Sequence, residues 1–315
     1  MKQKKVRYYM KLKDSFHPYA MITIVFWSIA FVLTRLALQH FSAFSLGFLR
    51  YLVASCTLIA IAILTKMKLP HKSDLPWFLA SGAIGFFFYM IAFNIGEETV
   101  TASTGSIVIA TVPVITALLS RIVYKEKLYV YQLVAIAFEF IGVLVLTLMD
   151  GVFSINIGLL WLLLAAVLLS IYNLLQRKLT KVYTALQTSA FSIFFGTILL
   201  AVFLPSSIKE VSHAPSIQLV YVAALGIFSS AIAYVAWSKA FAKAKQTSQV
   251  SNYMFITPFL TSVLGILIMD EVPSSSTLLG GTIIILGVLI FNFGEKMYVS
   301  ICNKISLVRK NSKEI

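Results

Sequence analysis

The sequence predicts an all-α, membrane-embedded protein with ten transmembrane helices arranged as two inverted five-helix repeats. Three observations predict it: ten apolar stretches long enough to cross a bilayer, a one-sided distribution of Lys and Arg between them, and an internal repeat offset by 145 residues. Of the 315 residues 59% are hydrophobic and only 12% charged, with a mean hydropathy of +0.89, a balance that no water-soluble domain carries.

A hydrocarbon layer about 30 Å thick is crossed by roughly 20 apolar residues at a helical rise of about 1.5 Å each. Such stretches run 19–38, 46–65, 76–96, 103–122, 129–148, 157–176, 187–204, 218–238, 250–269 and 277–295. In lipid a segment must satisfy its own backbone hydrogen bonds, so each stretch reads as a helix.

The elements follow in order. A basic tail, 1–18, carries Lys2, Lys4, Lys5, Arg7, Lys11 and Lys13 ahead of span 1. A basic start before an apolar run resembles a signal peptide, but span 1 exceeds an h-region and no small-residue cleavage pattern follows Leu38, so it is expected to remain as a helix. Lys66, Lys68 and Lys72 follow span 2; Arg121, Lys125 and Lys127 follow span 4; Arg177, Lys178 and Lys181 follow span 6; Lys239, Lys243 and Lys245 close span 8. A second basic tail, 296–315, contains Lys296, Lys304, Arg309, Lys310 and Lys313. If the chain starts inside, about 23 of the basic residues fall on the cytoplasmic side and about two, Arg35 and Lys209, on the other, beside Glu97, Glu98, Asp150, Asp270 and Glu271. Both termini are therefore expected in the cytoplasm of a cell whose plasma membrane the chain spans many times.

The formal net charge of +14 is spread over separate loops and makes neither a stripe nor an aromatic-interleaved groove, so the expected partner is the anionic lipid surface and not nucleic acid. Cys56 and Cys302 form no CxxC and no disulfide framework.

Shifting the sequence by 145 residues pairs Tyr89 with Tyr234, Ser103 with Ser248, Ser106 with Ser251, Pro113 with Pro258, Thr116 with Thr261, Glu126 with Glu271 and Gly142 with Gly287, with no gap from 89 to 144. A shift of 142 aligns Ser28 with Ser170, Arg35 with Arg177 and Ala43 with Ala185. Leu and Val recur by composition alone, but Pro, Glu and Gly at equal intervals answer to backbone geometry. The units, 19–149 and 155–295, each hold five spans, an odd number, so the second enters from the opposite face. Charge gives the same answer: Lys125-Glu126-Lys127 ends span 4, whereas Asp270-Glu271-Val272 ends span 9. Inverted halves of similar energy suit a central site opened alternately to either side.

These residues resemble the EamA family of the drug/metabolite transporter superfamily over about 19–295. The resemblance rests on Trp27 followed by a small residue, Arg50 early in span 2, and a spaced set read twice: Ser106, Pro113, Glu126, Gly142, then Ser251, Pro258, Glu271, Gly287. Ser28 stands where many members have Gly. The resemblance implies a cavity among spans 1, 3, 4, 6, 8 and 9, with spans 5 and 10 peripheral, and carriage of amino acids, amphipathic metabolites or drugs, often outward.

On those spans aromatic and small polar residues are the candidates for the cavity wall: Trp27, Phe31, Tyr89, Asn94, Ser103 and Ser106 from the first half, and Tyr172, Asn173, Tyr234, Trp237, Ser248, Ser251 and Asn252 from the second. Their alternative is ordinary: Trp and Tyr gather at lipid headgroups, and membrane Ser bonds its own helix. Arg35, Arg50, Glu97 and Glu98 share one expected outer level and read either as a charged vestibule or as an interfacial ion network. Glu139 lies about 15 Å into span 5. A carboxylate there costs about 2.5–3.5 kcal/mol, which marks it either as a coupling-proton site or as a neutral interhelical contact on a stripe with Gln132, Ala135 and Gly142. Pro113 and Pro258 sit mid-span as kinks or hinges. Gly142, Gly280, Gly281 and Gly287 permit close helix contact, within a monomer or across a homodimer.

No enzyme motif competes. His17, His40, His71 and His213 are scattered over tails and loops, and the chain has no HExxH, GxSxG or phosphate loop, so no catalytic residue, metal site or cofactor is expected. The expected activity is secondary transport of a small amphipathic metabolite, an amino acid or related compound, with export favoured. The alternatives are a flippase for a lipid-linked group and a membrane enzyme or assembly partner.

Overall fold

The computed structural model describes residues 15–126, 129–148, 156–275, 278–287, 289–291 and 294. The segments 1–14, 149–155 and 295–315, and the side chain of Glu139, lie outside the described residues. The helices are α1 (His17–Ala37), α2 (Ala43–Leu64), α3 (Lys72–Thr99), α4 (Ala102–Tyr124), α5 (Val130–Leu148), α6 (Ile157–Leu179), α7 (Ala185–Ser212), α8 (Ser216–Lys243), α9 (Thr247–Met269) and α10 (Leu278–Phe291). Among the described residues no strand occurs, and eight helices, all but α5 and α10, are long and apolar enough to cross a membrane. Several outrun their apolar windows, α7 continuing to Ser212 and α8 to Lys243. A hydrogen-bond ladder has no reason to stop where side chains become polar.

The helix starts are written locally. Ser42 Oγ accepts the Ser45 N–H (3.3 Å), Thr101 Oγ1 the Thr104 N–H (3.2 Å), Asn156 Oδ1 the Gly158 N–H (2.9 Å) and Thr184 Oγ1 the Gln187 N–H (3.3 Å), each removing one orphan donor at the start of α2, α4, α6 or α7. The left-handed residues Lys125 (φ 55°) and Asp270 (φ 53°) end α4 and α9 at matching positions of the two repeats. Wide π turns interrupt α3 at Ala83–Phe88 and α8 at Leu225–Ile232. Just before Pro113 and Pro258 the regular ladder of α4 and α9 breaks, with Pro in the first turn of the segment that resumes.

Packing repeats itself when α1–α5 are exchanged for α6–α10. The α3–α6 contact has its counterpart in α8–α1, α4–α6 in α9–α1, and α3–α7 in α8–α2, while α2–α7 and α4–α9 are their own counterparts. α4 and α9 run antiparallel, the end of each against the start of the other. Two glycines mark the same crossing twice. A Cβ on Gly82 would lie 2.7 Å from the Ser192 carbonyl oxygen of α7, and one on Gly226 2.9 Å from the Arg50 carbonyl oxygen of α2. In both places backbones touch because no side chain intervenes.

α5 and α10 pack on each other and on α4. A Cβ on Gly142 would lie 2.8 Å from the Gly280 carbonyl oxygen, and one on Gly281 2.9 Å from Ile107 Cδ1, so these small residues serve contacts within the chain. Elsewhere the outer surface is aliphatic, with Ile63, Leu64, Ile122, Ile198, Val202 and Leu267 all exposed. The end of the bundle where α1 begins, marked by Arg121, Lys125, Lys178 and Lys181, is called the basic end below, and the opposite one the far end.

Candidate substrate cavity

Between the repeats lies a narrow cavity which, in this conformation, has room for little more than a water molecule. Its wall takes Trp27, Ala30 and Phe31 from α1, Tyr89 and Phe93 from α3, Ser106, Ile109 and Ala110 from α4, Leu169 from α6, Tyr234 from α8, Met254 and Thr257 from α9, and Arg50 from α2. The pairs Trp27/Phe31 and Tyr89/Phe93, four residues apart, each present two rings on one helical face.

Five of the thirteen wall candidates named from sequence, Trp27, Phe31, Tyr89, Ser106 and Tyr234, line this space. Others sit elsewhere. Asn94 is fully buried and donates to the Ala43 carbonyl (2.8 Å), tying α3 to the start of α2. Ser106 and Ser251 donate to the Ser103 and Ser248 carbonyls (2.7 and 3.2 Å), the helix-internal bond expected of membrane serines. Ser103 Oγ and Asn252 Oδ1 are buried without a hydrogen-bond partner among the described residues.

Tyr172, Asn173 and Trp237 lie beneath the cavity, toward the basic end, in an aromatic floor. Trp27 packs on Tyr234 (5.1 Å between ring centroids) and Trp237 (5.0 Å), and Phe86 on Tyr172 (5.1 Å) and Tyr234 (4.9 Å). Indole donors fix the floor: Trp27 Nε1 donates to the Ser229 carbonyl (3.1 Å), and Trp237 Nε1 to Asn173 Oδ1 (3.0 Å), whose amide donates to Thr116 Oγ1 (3.3 Å). One level lower Ser238 donates to Gln176 Oε1 (2.7 Å) and shares a hydroxyl bond with Ser189 (2.6 Å), while Gln176 and Ser192 both donate to Ser81 Oγ (3.3 and 2.9 Å). This polar layer joins α3, α6, α7 and α8 on the basic side of the cavity.

The four charged residues given one level by the sequence divide. Arg35 Nη1 donates to the carbonyls of Glu97 and Glu98 (2.7 Å each), holding the last turn of α3, where the helix dipole favours a cation. Arg177, its repeat counterpart, does the same for α8 through the Phe241, Ala244 and Lys245 carbonyls (2.8, 2.6 and 2.5 Å). Glu98 Oε1 accepts the Ala43 N–H (3.1 Å) at the start of α2, and Arg35, Glu98 and Glu271 border a second, solvent-open hollow at the far end. Glu97 is fully buried, and neither carboxyl oxygen has a hydrogen-bond partner among the described residues.

Arg50 is the exception, because it leaves the outer level and lines the central cavity. It lies about 10 Å along α2 from Ala43 and is only 3% exposed. Nε donates to Ser230 Oγ (2.6 Å), Nη1 approaches Met90 Sδ (4.0 Å), and the guanidinium carbon stands 5.9 Å from the Tyr51 ring centroid. Its azimuth is set by the Gly226 crossing that lets α8 lie against α2. Phe93, Met254 and Thr257 were missed for the same reason, although the four-residue spacing of Tyr89 and Phe93 was there to be read.

The profile of the EamA-like transporter family matches residues 16–148 and again 156–293. An uncharacterized transporter of Bacillus subtilis, YdfC, is 32% identical over 297 residues, covering 93% of this chain and 95% of that protein. A probable terminal-alkyne amino-acid exporter of Streptantibioticus cattleyicolor is 29% identical, covering 86% and 91%, and an S-adenosylmethionine uptake transporter of Rickettsia prowazekii 24%, covering 89% and 93%. A crystal structure of a protein 18% identical superposes with a TM-score of 0.65, covering 89% of this chain and 97% of that one, which speaks to fold.

Proposed function

This chain belongs to the EamA-like transporter family, a multi-pass membrane protein of two repeats, and from that premise we propose that it is a secondary carrier moving a small amphipathic metabolite by alternating access. The observation that carries the reading is the cavity at the interface of inverted halves, walled by Trp27, Phe31, Tyr89, Phe93 and Tyr234. Below it, the Trp237–Asn173–Thr116 chain ties α8, α6 and α4 together. Aromatic walls with few polar groups suit a molecule with an apolar part and a polar head.

The Lys and Arg asymmetry supports a basic end in the cytoplasm of the cell, with both termini there. The polarity of the wall supports an amino acid or related compound as cargo, outward movement being the favoured direction, as in the Streptantibioticus relative named an exporter. Exchange of repeat conformations would open one end and then the other around the breaks before Pro113 and Pro258, which are the hinges in this reading.

The test is counterflow in proteoliposomes over amino acids, nucleosides and quaternary amines. Saturable exchange of one class, absent from protein-free vesicles, is the expected result. Exchange of none, alongside a ligand-induced rise in thermal stability with no flux, would mean a binding protein and not a carrier.

A further inference from the structure

We propose that Arg50 docks a carboxylate of the transported molecule, so that the cavity selects small amphipathic acids, amino acids among them. This rests on the carrier reading above and names its substrate class.

The argument begins with cost. A guanidinium stays protonated under all conditions a protein meets, and placing it inside a membrane protein is expensive unless something offsets the charge. Among the described residues nothing anionic does so. Arg50 makes no ion pair with a carboxylate. Of its five N–H donors, one is taken by the neutral Ser230 hydroxyl and one points at a thioether, leaving three without a partner among the described residues. Among the described residues the helices around it offer no acid near its level. α8 contributes Ser230 and the close-packed Gly226, and α3 contributes Met90, with Glu97 two turns further along, beside Gly105 of α4.

Geometry then gives the charge a destination. Arg50 is part of the cavity wall, together with Trp27, Tyr89 and Tyr234. A planar fork of donors matches a carboxylate by two parallel charge-assisted bonds, and such a bond strengthens where water is excluded. The Ser230 bond at 2.6 Å fixes the fork at Nε, so the terminal nitrogens are the ones left for a ligand. The aromatic residues of the same wall, Trp27, Tyr89 and Tyr234, would meet the apolar remainder. The site therefore reads both ends of an amphipathic acid.

The experiment uses the purified full-length chain in proteoliposomes, with protein-free vesicles as the zero, and two matched sets of probes. One set is phenylalanine, 3-phenylpropionate and phenethylamine; the other is leucine, 4-methylpentanoate and isopentylamine. The wild-type chain is expected to exchange carboxylate-bearing members with a half-saturation at least about tenfold below that of the amines, since a site built for a charged hydrogen bond discriminates strongly against its absence. Arg50→Gln is expected to abolish that preference, and Arg50→Lys, which keeps charge but loses the fork, to retain part of it.

Equal or better handling of the amines by the wild-type chain overturns the assignment and leaves the carrier reading standing. So does an Arg50→Gln protein that elutes as one species and still prefers acids. If Arg50→Gln fails to fold, the wild-type preference and the Arg50→Lys half-saturation decide. No exchange of any of the six probes counts against both this assignment and the carrier reading.

Discussion

The carboxylate of Glu126, just past α4, accepts the Thr247 hydroxyl at the start of α9 (3.3 Å), and the carboxylate of Glu271, just past α9, accepts the Ala102 N–H at the start of α4 (3.3 Å). Both follow a left-handed residue that turns the chain back, and both donate their own N–H to a carbonyl of the preceding helix, Ser120 at 3.4 Å and Gly265 at 3.2 Å. Each acid thus clasps one end of the antiparallel α4/α9 pair, where an N-terminal dipole favours it.

Opening either end of the cavity requires α4 and α9 to part there, so the two clasps should bias the carrier in opposite senses. A cap of this kind contributes about 0.5–2 kcal/mol, equivalent to a two- to thirtyfold shift in a conformational equilibrium at about 1.4 kcal/mol per tenfold. In a chain with Cys56 and Cys302 replaced by Ser, Glu126→Ala should speed labelling of Ser251→Cys by an impermeant thiol reagent from the basic side. Glu271→Ala should instead speed labelling of Ser106→Cys from the far side. Equal changes at both positions in both variants would refute opposed clasps.

A methyl group on Gly105 would stand 1.8 Å from Glu97 Oε1, inside a fully buried contact. Gly105→Ala should therefore lower stability by about 1–3 kcal/mol, the usual cost of overpacking. Glu97→Ala in the same chain vacates the space, so the double variant should recover part of that loss. Melting temperatures of the two single variants and the double one measure the coupling, and strict additivity would place the strain elsewhere.

Gly82 and Gly226 mark equivalent crossings, yet only Gly226 abuts the residue that lines the cavity. Either Gly→Ala change should cost about 1–3 kcal/mol of stability by forcing backbones apart. Gly226→Ala should in addition raise the half-saturation for substrate, because it pushes on the Arg50 backbone, whereas Gly82→Ala should leave it near the wild-type value. A matched effect on transport from both would argue that the crossings act only on folding.

Trp237→Phe removes the indole donor from Asn173 Oδ1 and leaves that buried oxygen short of a partner, at a cost of about 1–3 kcal/mol. Asn173→Leu removes the acceptor instead. In a double-mutant cycle read by thermal denaturation the pair should show a coupling of about 0.5–3 kcal/mol. Coupling near zero would mean that the floor is held by ring packing alone.

Much of the fold was legible because its causes are periodic. Apolar runs of bilayer length and the recurrence of Pro and Glu at fixed intervals are properties of the chain read in one dimension. Helix ends were read short where α7 and α8 continue into polar sequence, since hydropathy registers lipid and not hydrogen bonding. The site was legible in part. Trp27, Phe31, Tyr89, Ser106 and Tyr234, chosen as aromatic or small polar residues, line the candidate cavity, but Asn94 looked the same in sequence and serves the start of α2.

The sequence by itself determined the class, the odd number of spans in each unit and the antiparallel relation of the halves, because chain threading and charge follow from residue order. Tertiary structure alone decided which face of each helix meets the interior. Rotation about a helix axis depends on contacts such as Gly226 against the Arg50 carbonyl, between residues 176 positions apart. That rotation moves Arg50 from a vestibule charge to a wall of the central cavity, and no local pattern encodes it.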